Sequence, residues 1–149
     1  MAKQIYSYPD LSNSIVLVTG ANGGIGFDIV NSALQAGAKV LATDLVIGAS
    51  LEKLNSNERF ISKAYDLQDD SQCNECIAWS NSLGVNVLVN NAAIFDMAPF
   101  LESSLDQYDQ LFSVNVRAMF AMMQGIAKGL DSRKEKGSII NFSSQAGRR

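Results

Sequence analysis

The sequence predicts an α/β fold, a doubly wound parallel sheet with helices on both faces. Three observations point to it. Short apolar runs alternate with stretches of helical spacing along all 149 residues. The strand-like runs are almost continuously apolar rather than alternating, as parallel strands buried on both faces require. A glycine-rich segment lies between the first such run and the first helical stretch, where doubly wound folds turn from strand into helix.

The elements follow in order. "SIVLVTG" (14–20) is a β-branched run ending in glycine and reads as a buried strand. Residues 25–36 carry Ile25, Ile29, Val30, Ala33 and Leu34 at helical spacing, and Gly37 stops them. "AKVLATD" (38–44) is a second strand, 50–55 a short helix, and "RFISKAYD" (59–66) a third strand. Asp69 or Asp70 caps a helix that runs to about Leu83, where Gly84 ends it. "VNVLVNNAA" (85–93) is the fourth strand, a loop with Pro99 follows, and a long helix covers about 105–130. "SIINFS" (138–143) is the fifth strand. No linker, repeat or low-complexity tract interrupts this order, so residues 1–149 are expected to form a single domain.

The long helix is apolar around most of its circumference, with Phe112, Val116, Met119, Phe120, Met123, Ile126 and Leu130 spread over several faces. A sheet covers only one side of a helix, so a second helix or a partner subunit is expected on another. A homo-oligomer built through 105–130 is the corresponding expectation.

Composition narrows the function. Apolar residues make up 47% and charged residues 18%, in the range of a folded globular chain. A net charge of −3 with no block of Lys or Arg argues against a nucleic-acid or anionic-membrane partner. The N-terminal "MAKQIYSYPD" has no apolar signal core, and no run approaches the roughly 18 apolar residues that span a bilayer. A cytoplasmic protein is expected. There is no histidine, which removes Ser-His-Asp and Cys-His nucleophiles and imidazole zinc sites. Acid–base chemistry must then use Tyr, Lys, Asp, Glu or a cofactor. Cys73 and Cys76 in "CNEC" lack a second pair to complete a metal site and read as small residues one helical turn apart. No metal is expected.

"TGANGGIG" (19–26) has glycines at 20, 24 and 26, a G-x3-G-x-G spacing. Such glycines let the chain turn tightly and bring backbone N–H groups to a pyrophosphate, while the opening helix adds its positive dipole end. The loop is answered by Asp44 at the end of the second strand. A carboxylate there accepts hydrogen bonds from the adenosine ribose hydroxyls and repels a 2′-phosphate. No Lys or Arg lies in the loop to offset that repulsion, so NAD is expected over NADP. The plain alternative for Asp44 is a solvated strand-end carboxylate.

Taken together, these motifs resemble the short-chain dehydrogenase/reductase family, over the whole chain, with its Rossmann fold of three αβα layers. "TGANGGIG" is similar to that family's cofactor loop, with Gly20, Gly24 and Gly26 on the motif glycines and Asn22 and Ile25 beside them. Asp44 matches its NAD-selecting acid, and Asp66 and Leu67 the pair that contacts adenine. Asn90, Asn91 and Ala92 stand in "NNAA", where Ala93 replaces the family's usual glycine. Asn115 in "FSVNV" matches the helix asparagine of the catalytic tetrad, and Ser144 in "NFSSQAG" the catalytic serine. "NNAAIFDMAPF" and "SSQAGRR" are similar to polyol-oxidising members of the sorbitol and galactitol dehydrogenase type.

The resemblance implies hydride transfer between NAD and a secondary alcohol, ketone or polyol. Ser144 then orients the substrate oxygen and Asn115 holds a relay water through a helix irregularity. The alternatives are a strand-end turn for Ser144 and an amide that merely satisfies backbone groups for Asn115. The family's Tyr-x-x-x-Lys motif is not found: none of Tyr6, Tyr8, Tyr65 and Tyr108 has Lys four residues on. The expectation is an N-terminal portion of a dehydrogenase, truncated after the fifth strand and inactive by itself. A non-catalytic NAD-binding or regulatory module is the alternative, and association with another chain is a third reading.

Overall fold

The computed structural model describes residues 9–96 and 98–144. Tyr6, Tyr8, Met97 of "NNAAIFDMAPF" and 145–149 of "SSQAGRR" lie outside the described residues.

Five parallel strands form one sheet in the order β3-β2-β1-β4-β5. They are β1 (Ile15–Thr19), β2 (Lys39–Asp44), β3 (Phe60–Ala64), β4 (Val87–Asn90) and β5 (Ser138–Asn141). Helices α1 (Gly24–Gln35), α2 (Ala49–Glu52), α3 (Asp70–Ser82), α4 (Leu105–Phe112) and α5 (Met119–Arg133) connect them. A 3-10 turn, Lys53–Ser56, extends α2, which therefore covers the 50–55 helix read from sequence.

Successive residues of a strand face opposite sides, and the core divides accordingly. Val16 and Val18 of β1 pack with Val30 and Leu34 of α1 and with Val40, Leu51 and Phe60. Leu17, between them, faces the other way and joins Leu41, Leu88, Cys73 and Cys76 of α3, and Met122, Ile126 and Leu130 of α5. This is the two-sided burial that continuous apolar strands imply. β5 departs from it: all four of its residues are exposed, Ile140 by 48%. Cover on both faces follows from the continuously apolar strand runs, and such a run cannot by itself tell an edge strand from a central one.

Strand β4 is shorter than its apolar run, because Asn91 to Ala93 leave the sheet to line a cleft. The long helix is not one regular helix. A capping box opens α4: Ser104 Oγ accepts the Gln107 N–H at 3.1 Å, and Gln107 Oε1 accepts the Ser104 N–H at 2.9 Å. A π-helical turn, Ser113–Ala118, then joins α4 to α5. Arg117 on that turn forms a two-pronged pair with Asp70 at the start of α3, Nη2 to Oδ2 at 2.8 Å.

The sheet covers one side of α5 through Met122, Ile126 and Leu130, and α3 covers another, with Asn81 Nδ2 donating to Gly125 O at 3.1 Å. Phe112, Val116 and Phe120 remain exposed, Phe120 by 58%. Among the described residues no helix is long and apolar enough to cross a membrane.

Candidate functional site

The register aligns the carboxyl ends of the strands on one edge: Thr19 lies beside Thr43, Asp44 beside Ala64 and Asn90 beside Asn141. From β1 the chain proceeds outward to β2 and β3, then returns to build β4 and β5 on the other side. Where that order reverses, the loops after β1 and β4 diverge and leave a crevice, the usual ligand position in open α/β sheets.

Its floor is a junction between β1 and β4. Thr19, 1% exposed, accepts the Asn91 and Ala92 N–H groups on its Oγ1 at 3.1 and 3.0 Å. Asn91 Nδ2 donates in return to the carbonyls of Thr19 (3.1 Å) and Gly20 (2.9 Å). Gly20 turns the chain away at φ +64°, and a Cβ there would lie 2.7 Å from Ala92 Cα. α1 then opens at Gly23, with no side chain to cap it, so its first-turn N–H groups are left to whatever enters the crevice.

The rim carries Asp44. Its Oδ2 accepts the Asn22 N–H and its Oδ1 the Leu45 N–H, each at 2.8 Å. Two backbone donors orient the carboxylate, and each oxygen retains capacity for another hydrogen bond. Beyond it, Asp66 Oδ1 accepts the Gln68 N–H at 2.9 Å, and Gln72 Oε1 accepts the Asp66 N–H at 2.9 Å. Asp69 caps α3 by accepting the Gln72 N–H at 2.9 Å. The start of α3 thus fixes the Asp66–Leu67 turn.

The cleft so formed has a volume of about 730 Å³ and is lined by Gly20, Asn22, Gly24, Ile25, Gly26, Asp44, Asp66, Leu67, Asn91 and Ala92. Ten of the sequence-derived candidates therefore share one crevice. Asn90 does not line it: buried at 5% exposure, its Nδ2 donates to Asn141 Oδ1 at 2.9 Å, tying β4 to β5. Asn115 sits on the π-helical turn and reaches the rim through Ile94. Its Oδ1 accepts the Ile94 N–H and its Nδ2 donates to the Ile94 carbonyl, both at 2.9 Å. Ser144 is exposed, three positions beyond β5 on the carboxyl edge.

Sequence reasoning overlooked Thr19, which looked like the end of an apolar run. The available signal was a hydroxyl residue at the buried carboxyl end of a central strand. It also overlooked Tyr65, which borders the cleft while its ring is buried 5.9 Å from that of Trp79. The cysteines stand apart from the site. Both are buried on α3, and burial, with the neighbouring Cys73 as a lesser cause, pushes the Cys76 thiol up to about 12.

A dinucleotide fits these residues. Gly20, Gly23, Gly24 and Gly26 line the crevice, and a Cβ at Gly24 would meet no protein atom within 4 Å, so that glycine leaves open space beside the helix start. Asp44 stands at the distance of one loop from it, with acceptor capacity for a ribose diol.

Comparison with known proteins agrees with this architecture. The profile of a family described as short chain dehydrogenase matches residues 14–149. The chain is 34% identical over 145 residues to sorbitol dehydrogenase of Cereibacter sphaeroides, covering 93% of this chain and 56% of that protein. It is 34% identical over 142 residues to galactitol 2-dehydrogenase of Agrobacterium fabrum, with the same coverage. It thus spans about half the length of these relatives. Among solved structures, 4-hydroxyisoleucine dehydrogenase complexed with NADH superposes with a TM-score of 0.85 at 25% identity, covering 92% of this chain and 57% of that one. A closed form of serine dehydrogenase complexed with NADP+ gives 0.78 at 29% identity, covering 91% and 56%. A glycine-turned crevice at the reversal of strand order, an acid at the end of β2 and a family match over residues 14–149 converge: the chain belongs to the short-chain dehydrogenase family.

Proposed function

We propose that this chain forms the dinucleotide site of an NAD-dependent oxidoreductase acting on a secondary alcohol or polyol. The observation that carries the reading is Asp44, held by two backbone N–H groups at the rim of the glycine-lined crevice. Its carboxylate accepts from the 2′- and 3′-hydroxyls of an adenosine ribose and repels a 2′-phosphate, which favours NAD. The first-turn N–H groups of α1 take the pyrophosphate, while Asp66 and Leu67 border the adenine. The bound nicotinamide supplies the hydride acceptor or donor. Ser144 orients the substrate oxygen, and Asn115, through its grip on Ile94, shapes the rim on the reacting side. The polyol class is supported by the sorbitol and galactitol dehydrogenases among the relatives.

The 149 residues by themselves bind NAD without turning it over, because they carry no Tyr-x-x-x-Lys base. Of the two described tyrosines, Tyr65 is buried beside Trp79, and Tyr108 is stacked on Phe112 at 4.2 Å, away from the cleft. We further propose one cytoplasmic domain that self-associates through the exposed apolar side of the π-helical turn and α5. Titration with NADH and NADPH tests the cofactor reading: NADH is expected to bind more tightly, and equal or tighter NADPH binding overturns it. Steady NADH production from NAD and sorbitol or galactitol overturns the absence of turnover.

A further inference from the structure

We propose that Asn22 is a specificity-determining positioning residue, whose side-chain amide braces the loop after β2 so that Asp44 discriminates NAD from NADP. The inference rests on the NAD-binding reading above. Asn22 makes three hydrogen bonds, all to residues 44–48. Its backbone N–H donates to Asp44 Oδ2 at 2.8 Å, its Nδ2 donates to the Val46 carbonyl, and its Oδ1 accepts the Gly48 N–H at 2.9 Å. The side-chain amide thereby ties the glycine loop to Val46 and Gly48, while the backbone N–H of the same residue holds Asp44. The contact is close: a Cβ on Gly48 would lie 3.1 Å from Asn22 Oδ1.

The loop's own packing leaves this brace a decisive share. Ile47 rests against the core, but Leu45 and Val46, just before it in the chain, are each 64% exposed. No Lys or Arg occurs between residues 44 and 48, so an opened loop offers a 2′-phosphate space rather than a counter-charge. Held in place, the loop keeps the Asp44 carboxylate and the Leu45 N–H at the ribose edge, where a phosphate meets both a like charge and a fixed backbone. Without the amide, the Val46 carbonyl and Gly48 N–H lose their partner and the segment moves outward. Asp44 keeps its two backbone donors but rides on a looser segment, so NADH meets a less fixed acceptor while the penalty on NADPH relaxes.

The test compares wild type with Asn22→Ala and Gly48→Ala in the full 149-residue chain. Each is titrated with NADH and with NADPH by nucleotide fluorescence, and hydrogen–deuterium exchange of the Gly48 amide is followed without ligand. Loss of about one hydrogen bond's worth of orientation predicts NADH binding roughly tenfold weaker in Asn22→Ala, with NADPH changed less than about twofold. Exchange at Gly48 accelerates in the same variant. Gly48→Ala, which crowds the amide while leaving Asn22 in place, shifts the NADH-to-NADPH ratio the same way by a smaller factor, and it carries the test alone if Asn22→Ala does not fold. Equal weakening of both nucleotides, or unaltered exchange at Gly48, overturns the inference. Wild-type selectivity that survives in both variants removes the inference but leaves the NAD reading standing. A wild type that binds neither nucleotide, or prefers NADPH, removes both.

Discussion

A Gly26→Ala substitution places a Cβ 2.1 Å from the Gly20 carbonyl oxygen and 2.7 Å from Asn91 Nδ2. Neither atom can retreat freely, because they are bonded to each other at 2.9 Å within the β1–β4 junction. Overpacking of this kind costs about 1–3 kcal/mol, and loss of the Asn91 bond adds about 1 kcal/mol. The better helix propensity of alanine returns less than about 1 kcal/mol, leaving a net loss of about 1–4 kcal/mol. Gly24→Ala is the matched control, since its Cβ meets nothing within 4 Å and carries no steric cost within the protein. Its stability is expected to match or slightly exceed wild type, by the same helix propensity, but its methyl enters the space beside the α1 start and weakens NADH binding. Urea unfolding followed by the fluorescence of Trp79, the single tryptophan, measures the first effect, and NADH titration the second. A Gly26→Ala midpoint equal to wild type refutes the packing argument. A destabilised Gly24→Ala that binds NADH normally refutes the assignment of that glycine to the ligand.

Three further outcomes are expected. Thr19→Val keeps the shape of the side chain but leaves the Asn91 and Ala92 N–H groups without their acceptor, which should cost about 2–4 kcal/mol in urea unfolding. Asn115→Ala removes both bonds to Ile94, costing about 2 kcal/mol and accelerating exchange of the Ile94 amide, while Asn115→Asp should retain the bond from the Ile94 N–H and lose only the other. Folded Cys76 keeps its proton to about pH 12, whereas an ordinary thiol gives it up near 9.0, so the native state holds that proton more tightly and stability falls as pH rises through this window. The loss amounts to at most about 4 kcal/mol and should shrink in Cys76→Ala when alkaline unfolding is compared with that at pH 7.

The fold was legible because parallel strands advertise themselves: β1, β2 and β4 are short, apolar and punctuated by glycine or a polar end. The same rule overreached at β5, whose "SII" resembles a central strand although its four residues are exposed. Helix spacing located 105–130 but could not reveal the π-helical turn, since one extra residue per turn leaves apolar positions apolar. The glycine loop and Asp44 were readable because backbone approach and charge placement restrict residue type at single positions. What Asn91, Asn90 and Thr19 touch was not readable, because those contacts depend on the strand order, and nothing local to "VTG" or "NNAA" states that β1 and β4 are neighbours.

That neighbourhood has a consequence for how the protein is made. The bond from the Asn91 N–H to Thr19 Oγ1 spans 72 residues of chain. At a synthesis rate of about 5–20 residues per second, β1 waits several seconds before β4 exists to close its second edge. Long-range parallel pairing is also slow to form once both strands are present. The first three strands can meanwhile associate in order, but the floor of the crevice cannot. The crevice therefore closes only after β4 has joined β1, and a variant that folds sluggishly should gain helical signal well before the Asn91 and Ala92 amides gain protection from exchange.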